Sequence, residues 1–195
     1  MNQYAPSKGL PRLRNALASS YSDGLFERTL DAEREILVTQ GANQGIAVTM
    51  EAFIEPGEEV ILIEPYFDIY RPCIEVCGGK VVTVPLRMNK PLKDTISANE
   101  WKLNINELQS KVTPRTKGIL INNPHNPTGK LFTRRELKDI SEVAIKNNLL
   151  VFSDEVVSML IAILMSPSPF SMIAYIMMAK RWNEWPICLE CGSGP

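Results

Sequence analysis

The segment GILINNPHNPTGK, residues 118–130, consists of a short apolar run followed by a polar loop. The apolar run, residues 118–121, has the composition of a buried strand, and two prolines with a glycine turn the following backbone toward solvent. Open α/β sheets bind ligands at such strand ends. Three asparagines and a histidine offer neutral hydrogen bonding, which suits a polar ring better than a metal ion. The loop could equally be an ordinary connection in which Thr133 caps the next helix.

The composition is that of a globular domain without a charge excess. The chain has 195 residues, enough for one sizeable core, and 21 Lys and Arg residues nearly balance 22 Asp and Glu residues. A net charge of −1 gives no basic surface for nucleic acid, which we do not expect as a partner. Residues 1–11 are polar and hold no signal-peptide core, so the chain starts in the cytosol or partway through a longer protein. We expect a cytoplasmic location.

Four cysteines are too few and too unevenly spaced for the disulfide framework of a secreted domain, which favours a reducing compartment. Cys73 and Cys77 share one face of a predicted helix, where free cysteine packs as a small apolar side chain. Cys188 and Cys191 have dithiol spacing, but zinc needs a second ligand pair, and His125, the only histidine, is distant in sequence. No metal site is predicted.

Apolar residues recur with alternating strand and helix patterns along most of the chain. Continuous apolar runs bounded by Gly and Pro are typical of strands buried on both faces, and spacings of three and four residues predict amphipathic helices. Their alternation favours an α/β fold with three αβα layers, a mostly parallel sheet and right-handed crossovers. The predicted strands are residues 35–39, 59–63, 81–84, 117–121 and 149–152, and the predicted helices are residues 10–25, 44–54, 67–77, 106–112 and 134–147.

The composition changes abruptly after the last predicted strand. Residues 156–179 contain no charged side chain, and five of the eight methionines lie between Met159 and Met178. This run could span a membrane, although two prolines and four serines interrupt it, or it could be a buried core segment. A poorly specified, aggregation-prone tail is the interpretation we favour, so membrane association is not expected. We therefore divide the chain into residues 1–156 and an apolar tail, residues 157–195.

Four short blocks fall at predicted strand ends: GANQ at residues 41–44, EPYFD at 64–68, NPHNPTG at 123–129 and SDEV at 153–156. In this order they resemble the signature blocks of the class I and II aminotransferases, which have fold type I and depend on pyridoxal 5′-phosphate. The residues and spacing of these blocks are most similar to those of the kynurenine aminotransferase branch. This branch is also known for glutamine transaminase K and cysteine-S-conjugate β-lyase activities. The resemblance extends over roughly residues 2–156 and implies a partial cofactor-binding large domain.

The resemblance assigns the cofactor phosphate and the stacking contact to two of these blocks. Gly41, Ala42 and Asn43 would hold the phosphate at a helix N-terminus, where backbone N–H groups and the helix dipole favour anions. A simple glycine turn with Asn43 as the helix cap is the alternative. Phe67 would stack on the cofactor ring, unless it is an ordinary core aromatic.

The resemblance also implies contacts to the edge of the ring and to a second subunit. Asn126 would hydrogen-bond the phenolic oxygen of the cofactor. Asp154 would pair with the pyridine nitrogen and keep the ring protonated and electron-withdrawing, with a helix cap as the alternative. Tyr4 resembles a tyrosine that reaches the phosphate of the neighbouring subunit, which implies a homodimer, although it could be a surface anchor.

The chain departs from the family pattern after residue 156. The family uses a lysine that forms a Schiff base with the cofactor, but the only lysine after Lys146 is Lys180, which lacks the serine-rich context of the family's residue. No catalytic residue is therefore identified. Val157 replaces the tyrosine expected after Asp-Glu-Val, which removes a second hydrogen bond to the phenolic oxygen. These departures imply a truncated and catalytically impaired aminotransferase.

The resemblance implies amino-group transfer between an aromatic or sulfur-containing amino acid, such as kynurenine or glutamine, and a 2-oxo acid. The alternative is a non-catalytic interaction protein that pairs with a full-length aminotransferase subunit through the Tyr4 region. A nucleotide-binding α/β domain is disfavoured, because residues 41–45, GANQG, lack the glycine pattern of such sites. Full-length members of the family also allow a mitochondrial location.

Overall fold

The computed structural model describes residues 4–25, 29–88, 97–156 and 177–181. These ranges hold five α-helices, six strands and one short 3-10 turn at Ala98–Glu100. The helices are α1 (Pro11–Leu25), α2 (Ala42–Phe53), α3 (Tyr70–Val76), α4 (Ile105–Ser110) and α5 (Arg134–Lys146), and the strands are β1 (Glu59–Glu64), β2 (Lys80–Met88), β3 (Trp101–Leu103), β4 (Thr116–Asn122), β5 (Leu150–Asp154) and β6 (Met177–Arg181).

The strands form one mixed sheet in the order β3-β2-β1-β4-β5-β6. Its four central strands are parallel to one another, and β3 and β6 join the two edges in antiparallel orientation. The predicted α/β fold with a mostly parallel sheet is therefore confirmed. The parallel strands are connected through helices, as the alternating sequence pattern requires.

Side chains of the parallel strands alternate between two cores, one on each face of the sheet. Ile61 and Ile63 of β1 pack with residues of α4 and α5, whereas Val60 and Leu62 pack with residues of α2 and α3. All four side chains are at most 3% exposed. Burial on both faces explains why β1 reads as a continuous apolar run, and it produces the three-layer arrangement.

The order in which strands are added to the sheet reverses at β1. From β1 the chain passes through α3 to β2 on one side, and β4 then joins the other side of β1. Such a switch point opens a crevice beyond the carboxyl ends of the strands, where open α/β sheets bind ligands. The segments that leave β1, β4 and β5 meet at this crevice, so these strand ends position the candidate site.

One predicted strand is wrong. Residues 35–39 pair with no strand among the described residues, and the backbone N–H of Val38 donates to Lys8 O at 3.1 Å instead. Ile36 packs with the small core around α1, while Leu37 is 52% exposed. The apolar composition of this run indicated partial burial correctly, but composition does not specify which backbone supplies the hydrogen-bond partner.

The remaining predicted elements are present with shifted ends. Strand β2 continues to Met88, because its last three residues pair with β3, a short edge strand that the sequence pattern did not predict. Helix α3 begins at Tyr70, later than the predicted residue 67. Cys73 and Cys77 are half-buried with free thiols and pack with the core beneath α2 and α3. Their predicted role in packing is confirmed.

The apolar tail contributes only β6 to the described residues. Strand β6 pairs with β5 so that Met177 lies opposite Asp154 and Lys180 lies opposite Val151. Most of the uncharged run, together with Val157 and the dithiol at 188–191, lies outside the described residues. Across the described ranges, no helix combines the length and the apolar character needed to cross a bilayer.

Candidate functional site

A cavity of about 320 Å³ lies at the carboxyl ends of β1, β4 and β5. Ligand pockets begin at roughly this volume, about 300 Å³. The structure brings six of the seven predicted cofactor-binding residues to its walls. The lining residues are Gln40, Gly41, Ala42, Asn43, Phe67, Tyr70, Asn122, Asn126, Asp154 and Val156.

Helix α2 begins at one wall of the cavity. Gly41 is its N-cap residue, with φ of 90° and ψ of 171°, a backbone conformation that only glycine adopts without strain. No side-chain cap hydrogen bond forms at this end among the described residues. Asn43 lies in the first turn with an exposed side chain, so the alternative in which Asn43 caps the helix is wrong. The first-turn N–H groups are left to interact with whatever enters the cavity.

Two aromatic rings form a second wall, just beyond β1. Phe67 is half-buried, and its ring meets the ring of Tyr70 edge to face, with centroids 5.7 Å apart and planes at 85°. Tyr70 is 1% exposed and belongs to the core beneath α2 and α3. The buried Tyr70 thereby holds the ring of Phe67 in place at the cavity.

The carboxylate of Asp154 lies at the end of β5, opposite the start of α3. Asp154 is 6% exposed; its Oδ2 accepts a hydrogen bond from the Tyr70 hydroxyl at 2.5 Å, and its Oδ1 accepts one from Val156 N at 3.2 Å. Burial, the charge of Asp154 and this hydrogen bond together raise the pKa of Tyr70 far above its usual value. The tyrosine is therefore protonated and serves as a donor to the carboxylate.

The loop after β4 is fastened to the end of β5 by Asn122. The Asn122 side chain donates from Nδ2 to Asp154 O at 3.0 Å and accepts at Oδ1 from the Asn126 backbone N–H at 2.6 Å. The backbone N–H of Asn123 also donates to Asp154 O, at 3.0 Å. These bonds fix the distance between Asn126 and Asp154, the two residues expected to contact opposite parts of one ring.

A buried polar cluster supports this loop from behind. His125 is 3% exposed, with Nδ1 2.9 Å from Thr128 Oγ1, and burial lowers the pKa of His125 below its usual value. Lys130 is 1% exposed; it pairs with Glu136 at 2.8 Å and lies over the ring of Phe132. His125 and Lys130 therefore shape the loop from the protein side and do not face the cavity.

Two residues singled out from the sequence lie away from the cavity. Tyr4 is fully exposed, at 104% of its reference accessibility. The backbone of Lys180 lies opposite Val151, three residues along β5 from Asp154. At about 3.3 Å per residue, this separation amounts to roughly 10 Å along the strand.

The sequence patterns missed Tyr70 as a contributor to the site, and they assign no separate role to Asn122 within the quoted loop. Tyr70 follows Phe67 by three residues, a spacing that keeps two side chains on one side of a helical turn, so this signal was present in the sequence. Asn122 is the last residue of β4, where a side chain reaches the carboxyl edge of the sheet. Neither spacing reveals the partner, since Tyr70 and Asp154 are 84 residues apart.

The groups around the cavity suit a flat ring with a cationic nitrogen and an anionic substituent. Among the described lining residues none carries a positive charge, so the buried carboxylate of Asp154 would gain from a cation in the cavity. The N-terminus of α2 favours an anion at the other wall. Phe67 offers a flat apolar surface between these two ends. Pyridoxal 5′-phosphate has this distribution of charge.

Comparison with known proteins gives consistent matches over most of the chain. The family model described as aminotransferase class I and II matches residues 1–161. Human kynurenine–oxoglutarate transaminase 3 is 40% identical over 161 residues, which are 83% of this chain and 35% of the human protein. The chain thus spans about a third of the length of this relative.

Solved structures agree with the fold. The crystal structure of Bna3p from Saccharomyces cerevisiae has a TM-score of 0.75 and 43% identity, and the match covers 80% of this chain and 36% of that one. The N-succinyldiaminopimelate aminotransferase of Mycobacterium tuberculosis has a TM-score of 0.70 and 41% identity, covering 80% and 38% of the two chains.

Proposed function

The chain belongs to the aminotransferase class I and II family, and from this premise we propose that its cavity holds pyridoxal 5′-phosphate. One observation carries the proposal: a single cavity gathers the uncapped start of α2, the ring of Phe67, the amide of Asn126 and the buried carboxylate of Asp154. Each group matches one feature of the cofactor. The activity that this site serves in the family is transfer of an amino group between an amino acid and a 2-oxo acid.

Each residue has a separate task in holding the cofactor. The N–H groups of α2 bind the phosphate, Phe67 covers one face of the ring, and Asn126 donates to the phenolic oxygen. Asp154 holds a proton on the pyridine nitrogen, because a buried carboxylate stabilises a cation beside it. When bound, the cofactor supplies an electron-withdrawing ring that stabilises negative charge on the α-carbon of an amino acid.

We further propose an aromatic or sulfur-containing amino donor, such as kynurenine or glutamine. Support comes from the residues of the four sequence blocks and from the name of the human relative, a kynurenine–oxoglutarate transaminase. The match to an N-succinyldiaminopimelate aminotransferase at similar identity means that identity alone does not select the donor. Assays should therefore compare kynurenine, glutamine and N-succinyldiaminopimelate.

For the 195-residue polypeptide we propose cofactor binding without covalent attachment. Residues 1–156 would form a partial cofactor-binding large domain, with a divergent tail after it, and Lys180 has its backbone paired with Val151, away from Asp154. Without a lysine at the ring, the polypeptide would lack the group that moves a proton during transfer. It would be catalytically impaired.

The test separates binding from nonspecific attachment to surface lysines. Pyridoxamine 5′-phosphate carries an amine in place of the aldehyde and cannot attach to lysine, so its fluorescence on titration reports the cavity alone. We expect saturable binding that weakens at least about 10-fold in Asp154→Asn, a loss of roughly 1.4 kcal/mol. Equal affinity in the wild type and Asp154→Asn would exclude the proposed ring orientation.

Covalent attachment is tested separately with pyridoxal 5′-phosphate, borohydride and peptide mass spectrometry. We expect no lysine to be labelled more strongly in the wild type than in Asp154→Asn, because no lysine of residues 4–25, 29–88 and 97–156 lines the cavity. Labelling of Lys180 that depends on Asp154 would contradict the proposed impairment.

A second candidate function is non-catalytic pairing with a full-length aminotransferase subunit. Support comes from the resemblance of Tyr4 to a tyrosine that reaches the neighbouring subunit, and Tyr4 is fully exposed, at 104% of its reference accessibility. Co-expression with a full-length relative, followed by size exclusion and an activity assay, should give a mixed dimer with altered activity. The same experiment on the chain alone tests the proposed homodimer. In both experiments Tyr4→Ala should weaken pairing, because it removes the proposed contact residue.

A further inference from the structure

We propose that Tyr70 is a positioning residue of the cofactor site, which fixes the carboxylate of Asp154 in the orientation needed to hold a positively charged ring nitrogen. The identity of the ligand rests on the proposed function. The contact between Tyr70 and Asp154 lies within the protein and can be tested without a ligand.

The Tyr70 hydroxyl restrains a torsion that the backbone leaves free. The terminal torsion of an aspartate side chain has a broad energy minimum, so the carboxylate plane is set by its hydrogen-bond partners. Here Oδ2 accepts from Tyr70 at 2.5 Å and Oδ1 accepts from Val156 N at 3.2 Å. One donor on each oxygen fixes the plane and leaves further lone pairs for a ligand in the cavity.

Tyr70 is itself held from two directions. Its ring is 1% exposed within the core beneath α2 and α3, and its backbone N–H donates to Phe67 O at 3.2 Å. Its ring also meets that of Phe67 edge to face, at 5.7 Å. A single side chain therefore contacts both the stacking wall and the carboxylate, so it couples the face of a bound ring to its edge.

The hydroxyl remains a donor over the whole working pH range. Burial and the neighbouring charge of Asp154 raise the pKa of Tyr70 far above its usual value, so the proton stays on the tyrosine oxygen. A hydrogen bond to a buried charged group contributes more than one between neutral groups. Without this donor the carboxylate plane would rotate more freely.

The key variant is Tyr70→Phe, which removes only the hydroxyl oxygen and keeps the ring. We expect pyridoxamine 5′-phosphate to bind roughly 10-fold to 100-fold more weakly, the range for losing one hydrogen bond to a charge. Tyr66→Phe is the matched control: the Tyr66 hydroxyl contacts Arg71, and Tyr66 does not line the cavity.

A double-mutant cycle distinguishes positioning from general stability. If Tyr70 acts through Asp154, Tyr70→Phe should change affinity much less in the Asp154→Asn background than in the wild type. Additive losses would overturn the proposal. A drop in thermal stability alone, with binding unchanged, would also overturn it.

A ligand-free measurement separates this proposal from the proposed function. The carboxyl 13C resonance of Asp154, assigned through its absence in Asp154→Asn, should move in Tyr70→Phe and stay in place in Tyr66→Phe, because only the first variant removes the hydrogen bond to Oδ2. If this shift appears while the wild type binds no pyridoxamine 5′-phosphate, the proposed function fails and the positioning role stands. If the resonance does not move, the positioning role fails even when the cofactor binds.

Discussion

Helices α2 and α5 begin in opposite ways, although each follows a loop near the candidate site. At α5, Thr133 Oγ1 accepts from Glu136 N at 3.2 Å and Glu136 Oε2 accepts from Thr133 N at 2.9 Å, which completes a capping box. At α2, Gly41 is the N-cap residue and no side-chain cap hydrogen bond forms among the described residues. The start of α5 is therefore satisfied by the protein, and the start of α2 is open to a ligand.

The first turns of α5 and α2 also differ in charge. The first turn of α5 contains Glu136, which complements the helix dipole and pairs with buried Lys130. The first turn of α2 contains no acidic residue. A carboxylate there would repel a phosphate, so its absence suits the anion that we propose for this end. Two helix starts in one domain thus show how the same backbone donors serve stability in one place and binding in another.

The largest expected effect comes from breaking the closed helix start. Glu136→Ala should lower the free energy of unfolding by about 3–5 kcal/mol, because it leaves Lys130, which is 1% exposed, as an unpaired buried cation. Urea or guanidinium unfolding measures the loss. The double variant Lys130→Met and Glu136→Ala removes both charges and should regain part of it. Equal instability of the single and double variants would show that the ion pair is not the cause.

The same carboxylate gives the closed start a defined pH dependence. Burial raises the pKa of Glu136, but hydrogen bonds from Lys130 and Thr133 outweigh it and hold the pKa below its ordinary value of 4.5. A group with a lowered folded-state pKa stabilises fully above its unfolded value and loses this contribution as the pH falls through the folded value. The stability gap between wild type and Glu136→Gln should therefore shrink below pH 4.5.

An intermediate effect should come from the open helix start. Gly41→Ala forces a non-glycine residue to φ of 90°, which costs about 1–3 kcal/mol of stability, and it should also abolish saturable binding of pyridoxamine 5′-phosphate. Gly57→Ala is the matched control, because Gly57 has φ of 87° and open space around its added Cβ. It should lose stability but keep binding. If both variants bind normally, the phosphate does not sit at α2.

The smallest effects on stability and binding should come from single side chains in the first turns of the two helices. Thr133→Ala should cost about 1 kcal/mol of stability, measured by thermal or chemical unfolding, and leave cofactor binding unchanged. Thr133→Ser should keep the cap, because serine also provides a hydroxyl oxygen. Asn43→Ala should change stability by less than about 0.5 kcal/mol but weaken binding several-fold. The reverse pattern, with Asn43 essential for stability, would mean that α2 is closed after all.

The N-cap of α5 could be predicted from the sequence, whereas that of α2 could not. Thr133 and Glu136 stand three residues apart, so the cap at α5 follows from local spacing. At α2 the glycine turn was visible, but a local pattern could not decide whether Asn43 capped the helix. The incorrectly predicted strand at 35–39 has a similar cause, because an apolar run does not specify that the backbone N–H of Val38 donates to Lys8 O.

The sequence by itself determined the parallel strands and the helices between them, because continuous apolar runs are local features. The resemblance of its strand-end blocks to a known family supplied six residues that reach one cavity. Only the tertiary structure decided how those residues are held. Tyr70 reaches Asp154 across 84 residues, and Asn122 joins Asp154 to Asn126. Contacts between distant residues depend on how the sheet is ordered, and the order reverses at β1 for reasons that no local pattern contains.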